Sequence, residues 1–334
     1  MTTVGVLGGG SWGTALALLL RDNGLHVRVW EYDREQCERV KAEGENKKFL
    51  PGISIPKDLE YSGDLKWAVD GSEALVFVVP SRFFRDVARA VAGADVPEGR
   101  LMVIATKGLE TNSLLRMSQV LSQELPKAAA RTAVLAGPSH AEEVSRGVPT
   151  AVVAASEQES VARAAQELFM AKAFRVYTNT DLLGVELGVA IKNVIALAAG
   201  ICDGLGYGDN TKGALLTRGL AEIVRLGTTM GACRETFFGL AGVGDLVTTC
   251  LSRHSRNRYV GEQIGKGRKL GDVLRDMVMV AEGVNTAEAA LTLSRRHGIE
   301  MPITEQVNAV LFGEKDPTAA ILELMSREGK AEVS

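Results

Sequence analysis

The sequence predicts an α/β fold in which a parallel sheet, covered by helices on both faces, is followed by an all-helical C-terminal domain. Three observations carry this. Short β-rich runs alternate with helical patterns through the first half of the chain. A run beginning at Val4 leads directly into a glycine cluster. From about Thr178 onward, long helical patterns replace the alternation. Alternation of this kind builds parallel βαβ units.

Taken in order, residues 4–7 read as a strand, 12–22 as a helix and 27–30 as a second strand. Residues 74–79, 101–105, 133–136 and 151–153 are further strand candidates, with helical patterns at 83–91 and 113–124 between them. After the change of pattern come helical runs at 182–202, 214–230, 271–277 and 286–296, and a last helix with a frayed end after Gly313. The expected boundary lies near Asn179, giving a dinucleotide-binding domain over 1–179 and a helical substrate domain over 180–334.

The 334 residues are 46% hydrophobic, enough for a large core in each domain. The longest apolar stretch, 189–201, is interrupted by Lys192 and Asn193 and is too short for a membrane span. No basic region followed by an apolar run opens the chain, so a secretory leader is not expected. Cys37, Cys202, Cys233 and Cys250 lie far apart without a C-x-x-C pair, which argues against a zinc knuckle or a disulfide framework and for the reducing cytoplasm. A net charge of −3 offers no global field for nucleic acid, so any anion site is local. The four histidines, His26, His140, His254 and His297, form no metal-binding or triad spacing; neither a metal nor a covalent nucleophile is expected.

Gly8, Gly10 and Gly13 fit GxGxxG, with Ser11 and Trp12 between them. The pattern alone is weak in a glycine-rich chain, but here it follows a strand and opens a helix. Glycine at these places permits a tight turn, close approach to a pyrophosphate and close helix packing, while the helix N-terminus offers free N–H groups. At the end of the second strand, Glu31 stands where an acid accepts from an adenosine ribose hydroxyl. It would repel a 2′-phosphate, and NAD is therefore favoured over NADP. The competing reading has Glu31 facing solvent and Arg34 pairing with that phosphate.

Lys107 ends a buried strand at the sheet edge where such folds bind ligands. Lys192, followed by Asn193, sits in a helix that is apolar nearly all round. A buried lysine is costly unless paired or deprotonated, and a second cation in a dry site lowers its pKa toward neutrality. That suits a general acid at a carbonyl oxygen. The alternative is an ammonium that snorkels to the helix edge. Asp245 and Thr249 share a helix face, so Asp245 can hold Lys192 and Thr249 can bond a substrate oxygen. Asp245 also fits a helix N-cap. Ser255, Arg256, Asn257 and Arg258 lie in a polar stretch between helical runs, which is either a solvated loop or a phosphate site built on an arginine fork.

Together these segments resemble one family over nearly the whole chain: bacterial NAD(P)-dependent glycerol-3-phosphate dehydrogenase. The resemblance rests on Gly8 to Gly13, Asn46 with Phe49-Leu50-Pro51, and Val78-Val79-Pro80-Ser81. It continues through Ala105-Thr106-Lys107-Gly108-Leu109-Glu110, Ala136-Gly137-Pro138-Ser139-His140-Ala141, Val189-Ala190-Ile191-Lys192-Asn193-Val194 and Thr217-Arg218-Gly219. Gly242-Val243-Gly244-Asp245-Leu246, Ser255-Arg256-Asn257-Arg258, Ala281-Glu282-Gly283 and Met301-Pro302-Ile303-Thr304 complete it. Each segment is weak alone; their order and joint presence are specific.

The resemblance implies a Rossmann-like N-terminal domain, a helical C-terminal domain and an active site between them. It implies hydride transfer between NAD or NADP and the pair dihydroxyacetone phosphate and sn-glycerol 3-phosphate, the product feeding phospholipid synthesis. By position, Lys192 matches the catalytic acid/base. Lys107, Gly137, Ser139, Asp245, Ser255, Arg256 and Asn257 match substrate contacts. Ser11, Trp12, Tyr32, Lys107, Ala141, Arg256, Val280 and Glu282 match cofactor contacts. The acidic Glu31-Tyr32 segment departs from a purely NADP-dependent pattern and bears on cofactor choice, not on the reaction. The alternative substrate is another hydroxy acid, which would leave a phosphate clamp at Arg256 and Asn257 without purpose. A homodimer is expected from the base rate for such enzymes.

Overall fold

Short runs of Val, Leu, Ile and Ala form the strands, and their burial on both faces is what a helix-covered parallel sheet requires. The computed structural model describes residues 2–94, 99–329 and 331–332. The strands are β1 (Thr3–Leu7), β2 (His26–Trp30), β3 (Glu60–Ser62), β4 (Ala74–Phe77), β5 (Leu101–Ile104), β6 (Thr132–Ala136), β7 (Thr150–Ala155) and β8 (Phe174–Asn179). They lie in one sheet in the order β3-β2-β1-β4-β5-β6-β7-β8. The winding reverses between β1 and β4, which is the switch point where such sheets bind ligands. Leu7 pairs with both Trp30 and Phe77, and Phe77 with Ile104, so the carboxyl ends of four strands finish level beside the glycine turn.

The sheet is not parallel throughout. β7 runs antiparallel to β6, and β8 is parallel to β7. The strand expected at 151–153 is thus real but reversed. The connection from β6 carries only a one-turn helix that packs on the first long helix and does not take the chain back across the sheet. β3 and β8 are not among the strands expected from the sequence; β8 alternates buried and exposed positions as a half-covered edge does.

The helices of the sheet half are α1 (Ser11–Asp22), α2 (Arg34–Glu43), α3 (Leu65–Val69), α4 (Ser81–Ala92), α5 (Met117–Glu124), α6 (Ala141–Val144) and α7 (Glu159–Phe169). The following elements are helical: α8 (Leu182–Gly204), α9 (Asp209–Thr229), α10 (Asp245–Leu251), α11 (Arg256–Gly265), α12 (Leu270–Asp276), α13 (Glu282–Arg296), α14 (Pro302–Phe312) and α15 (Pro317–Met325). The Ser255–Arg258 segment is therefore no loop: Ser255 caps α11, its Oγ accepting from the Arg258 N–H at 3.2 Å.

α8 is the axis of the helical half. Asp181 caps it, accepting from the Gly184 N–H at 2.9 Å. Its first turns (Leu182, Val185, Val189) join the apolar cluster under the sheet, and the rest fills the helical core. Side chains such as Leu187, Ile191, Ile195 and Leu197 each contribute about 1.5–3 kcal/mol by leaving water. By length and composition α8 could cross a membrane, but 94% of its apolar window is buried inside the protein, as in a core helix. α11 lies on α8 backbone to backbone. A Cβ at Gly200 would meet the Arg258 carbonyl at 1.9 Å, and one at Gly261 the Leu197 carbonyl at 2.0 Å. This close approach brings the N-terminus of α11 beside Lys192.

Candidate active site

A cleft of about 910 Å³ runs along the carboxyl edge of the sheet and is closed on its far side by α8, α10, α11 and the start of α13. At one end lies the glycine turn. Gly8 has φ +125°, and a Cβ at Gly13 would meet the Gly8 carbonyl at 1.8 Å, so the turn packs tightly on α1. A Cβ at Gly10 would meet nothing within 4 Å, because that face is open to the cleft. Gly10 caps α1 without a side chain, which leaves the helix N–H groups for an anion. These features fit a dinucleotide pyrophosphate.

Glu31 is buried, 9% exposed, against the turn. One carboxylate oxygen accepts from the Asp33 N–H at 3.0 Å, and the other lies 2.7 Å from where a Gly9 Cβ would be. Burial pushes its pKa up. Glu31 thus faces the cleft wall and not solvent. Tyr32 stands out at 84% exposure beside Trp30, and Arg34 folds over Gly63.

At the other end, Lys107 from the end of β5, Lys192 from α8 and Asp245 from α10 meet. Asp245 bridges both lysines: Oδ1 lies 2.6 Å from Lys192 Nζ and Oδ2 2.9 Å from Lys107 Nζ. Lys192 also donates to the Thr249 hydroxyl, which in turn donates to Asp245 at 3.2 Å. Lys107 donates to the Gly137 carbonyl at 3.0 Å, as does Ser139 at 2.9 Å. Asp245 is the first residue of α10, capped by Gly244, so its carboxylate serves the lysines and no helix cap. Burial outweighs the attraction of Asp245 and, with Lys107 adding to it, brings the Lys192 ammonium down to about 8. Burial pushes Asp245 up, but the two lysines outweigh it and hold its carboxyl below the usual range.

Arg256 opens α11 into the cleft and forms no hydrogen bond or ion pair among the described residues. Although Arg256 is exposed along the cleft, the surrounding walls lower its pKa, with Glu282 and then Glu142 opposing. A free guanidinium at a helix N-terminus offers convergent donors to an anion. Asn257 is more constrained: it donates to Asn193 Oδ1 at 2.9 Å and accepts from the Gly283 N–H at 2.9 Å. Ala141, Ser139, Val280 and Glu282 also line the cleft. Of the residues singled out from the sequence, Gly13 lies beneath the turn, Gly137 lies behind Lys107, Arg34 packs on Gly63, and Arg258 turns away to Asp203 at 2.6 Å; the other candidate cofactor and substrate residues are at the cleft surface.

Two residues were missed. His140 and His254 look scattered in sequence, yet their rings stand 5.8 Å apart across the cleft. His140 Nε2 is buried without a partner, and burial, followed by Lys107 and Lys192, pushes its pKa down. Their only signal was adjacency: His140 lies between Ser139 and Ala141, and His254 precedes Ser255.

A doubly wound sheet with a bare glycine turn at its switch point, facing a buried lysine on a helical wall, defines a dinucleotide-dependent dehydrogenase. Residues 3–162 match the model of the NAD-dependent glycerol-3-phosphate dehydrogenase N-terminus, and residues 181–322 that of its C-terminus. The chain belongs to the NAD-dependent glycerol-3-phosphate dehydrogenase family. It is 54% identical over 330 residues to the glycerol-3-phosphate dehydrogenase [NAD(P)+] of Geobacter sulfurreducens, covering 98% of each chain. It is 52% identical over 325 residues to that of Pelotomaculum thermopropionicum, covering 97% of this chain and 93% of that one. The crystal structure of glycerol-3-phosphate dehydrogenase from Coxiella burnetii matches with a TM-score of 0.93 at 39% identity, covering 98% and 99%.

Proposed function

We propose that the chain reduces dihydroxyacetone phosphate to sn-glycerol 3-phosphate, in the cytoplasm and as a homodimer, supplying phospholipid synthesis. The observation that carries this reading is Asp245 bridging two lysines at the end of a dinucleotide cleft, with Arg256 free beside it. Residues 1–179 hold the cofactor and 180–334 complete the substrate site.

The bound dinucleotide supplies the hydride; the remaining work falls to the chain. The glycine turn and the N-terminus of α1 hold the pyrophosphate, and Glu31 accepts from the adenosine ribose, which favours NAD. Ser255, Arg256 and the start of α11 take the substrate phosphate, with Asn257 bracing that helix against Asn193. Lys192, ammonium at neutral pH, donates its proton to the oxygen that becomes the C2 hydroxyl. Asp245 keeps it charged and aimed, and Lys107 stabilises the developing negative charge. Thr249 and Ser139 orient the substrate oxygens. Positioning and fixed charge supply most of the acceleration.

The test is oxidation of NADH by dihydroxyacetone phosphate, followed by absorbance, in the parent and in Lys192→Ala. Turnover in the variant should fall by about a hundredfold to ten-thousandfold with dinucleotide binding retained. Turnover within threefold of the parent would remove Lys192 from the mechanism, and an inactive parent would remove the substrate assignment.

A further inference from the structure

Glu282, the first residue of α13, reaches across the cleft to the sheet half. Its carboxylate accepts from the Ser81 N–H at 3.0 Å and from the Ser81 hydroxyl at 2.5 Å. Ser81 is the first residue of α4, whose N-cap is Pro80 with no capping side chain. The N-terminus of α4 is thus capped by a carboxylate 201 residues away in sequence. Ser81 itself is 3% exposed.

A third element meets this pair. Gly108, at φ +139°, follows Lys107. A Cβ there would lie 3.0 Å from the Ser81 Cβ and 3.3 Å from Glu282 Oε2. Only glycine lets the Lys107 turn lie so close. From this junction two lines of contact lead to Lys192. One runs through Lys107 and Asp245. The other runs from Glu282 through its neighbour Gly283, whose N–H donates to Asn257, and Asn257 donates to Asn193 beside Lys192. The junction therefore joins the edge carrying Val79 and Pro80, which lines the dinucleotide cleft, to the helix carrying the proton donor.

We propose that Ser81 is a positioning residue for hydride transfer: through Glu282 it sets the spacing between the dinucleotide edge of the sheet and Lys192. This rests on the dehydrogenase reading above. Neither Ser81 nor its hydroxyl touches the reacting atoms. Its effect is on the separation of donor carbon and acceptor carbon, to which hydride transfer is steeply sensitive.

The experiment compares the parent with Ser81→Ala, Ser81→Thr, Glu282→Gln and the double variant Ser81→Ala/Glu282→Gln. Ser81→Ala should lower kcat by about tenfold to a hundredfold, with KM for dihydroxyacetone phosphate within about threefold. The dinucleotide Kd from tryptophan fluorescence should hold within about threefold, and the isotope effect with deuterated NADH should rise as the chemical step becomes limiting. Ser81→Thr, which keeps the hydroxyl, should restore kcat. The double variant should be no slower than the slower single one, because both weaken the same contact. If Ser81→Ala does not fold, Ser81→Cys carries the same expectations. A kcat within twofold of the parent, a loss seen only in KM, or multiplicative losses in the double variant would each overturn the proposal. Amide hydrogen exchange over residues 81–84 is read independently of turnover. It should quicken in Ser81→Ala, and unchanged exchange would overturn the latch itself. A parent without dehydrogenase activity but with this exchange response would instead sink the functional reading.

Discussion

Replacing Asp245 by Asn removes one charge and little volume from between two lysines. In the parent the carboxylate lies 2.6 Å from Lys192, whose ammonium titrates at about 8 because burial and Lys107 outweigh that attraction. A contact at that distance, at an effective dielectric of about 20, is worth about 6 kcal/mol. The amide keeps a dipole and one acceptor, so about half of this is lost, equivalent to a fall of about two pKa units. Lys192 would then titrate near about 6, and its protonated fraction at pH 7 would drop from about nine-tenths to about one-tenth. In the proposed mechanism, reduction needs the ammonium as acid. The parent's kcat for reduction should thus be level below pH 8 and fall above it, whereas the variant should begin to fall about two pH units lower. At pH 7 this alone costs about tenfold, before any loss of aim. The assay is kcat against pH for reduction of dihydroxyacetone phosphate at saturating NADH. Oxidation of sn-glycerol 3-phosphate needs the neutral amine, and its limb should rise through the same pH. If the variant loses activity while its limb stays where the parent's is, Asp245 does not control the charge of Lys192.

Three further outcomes are expected. Arg256→Ala should weaken dihydroxyacetone phosphate by about 1.5–3 kcal/mol and unphosphorylated dihydroxyacetone far less; equal losses for the two would contradict a phosphate site at α11. The parent should use NADH at least as well as NADPH, and Glu31→Ser should shift kcat/KM toward NADPH by about tenfold; a parent that prefers NADPH, unmoved by the substitution, would leave selectivity to Tyr32 or Arg34. Buried Glu222 accepts from the Ile303 and Thr304 N–H groups, and burial raises its pKa from 4.5 to about 7. A folded-state pKa above the unfolded one means stability is full below pH 4.5 and is lost as pH rises through 7. Glu222→Gln should flatten that part of the melting temperature profile; a parallel profile would show that Glu222 does not titrate there.

What the sequence revealed follows from where the signal is local. The glycine turn, its helix and the two flanking strands were legible because backbone demands there fall on adjacent residues. Lys192 was legible because one charge in an apolar helix needs explanation. Its partners were only partly so. Asp245 fitted both a cap and a partner; the fold brings it onto Lys192, 53 residues away in sequence, and leaves the cap position to Gly244. Arg256 read as loop on composition and as a phosphate site only within the dehydrogenase plan; that it opens a helix pressed onto α8 through Gly200 and Gly261 was not legible. The reversed direction of β7 was invisible, since a strand pattern does not state its direction. The His140–His254 approach and the Ser81–Glu282 contact were invisible too, since both depend on how the two halves face each other.

The apolar character of α8 bears on how the chain comes into being. This helix is made only after the sheet, and α9, α10, α11 and α13, which wrap it, are made later still. Until residue 296 has left the ribosome, a 23-residue apolar rod with the dimensions of a bilayer anchor lacks part of its covering. Synthesis therefore passes through a stage at which the nascent chain exposes apolar surface that its own later helices come to cover. The buried lysine at the middle of that rod gives the exposed intermediate a charge that an anchor would lack, and so weakens its partition into lipid until the later helices arrive.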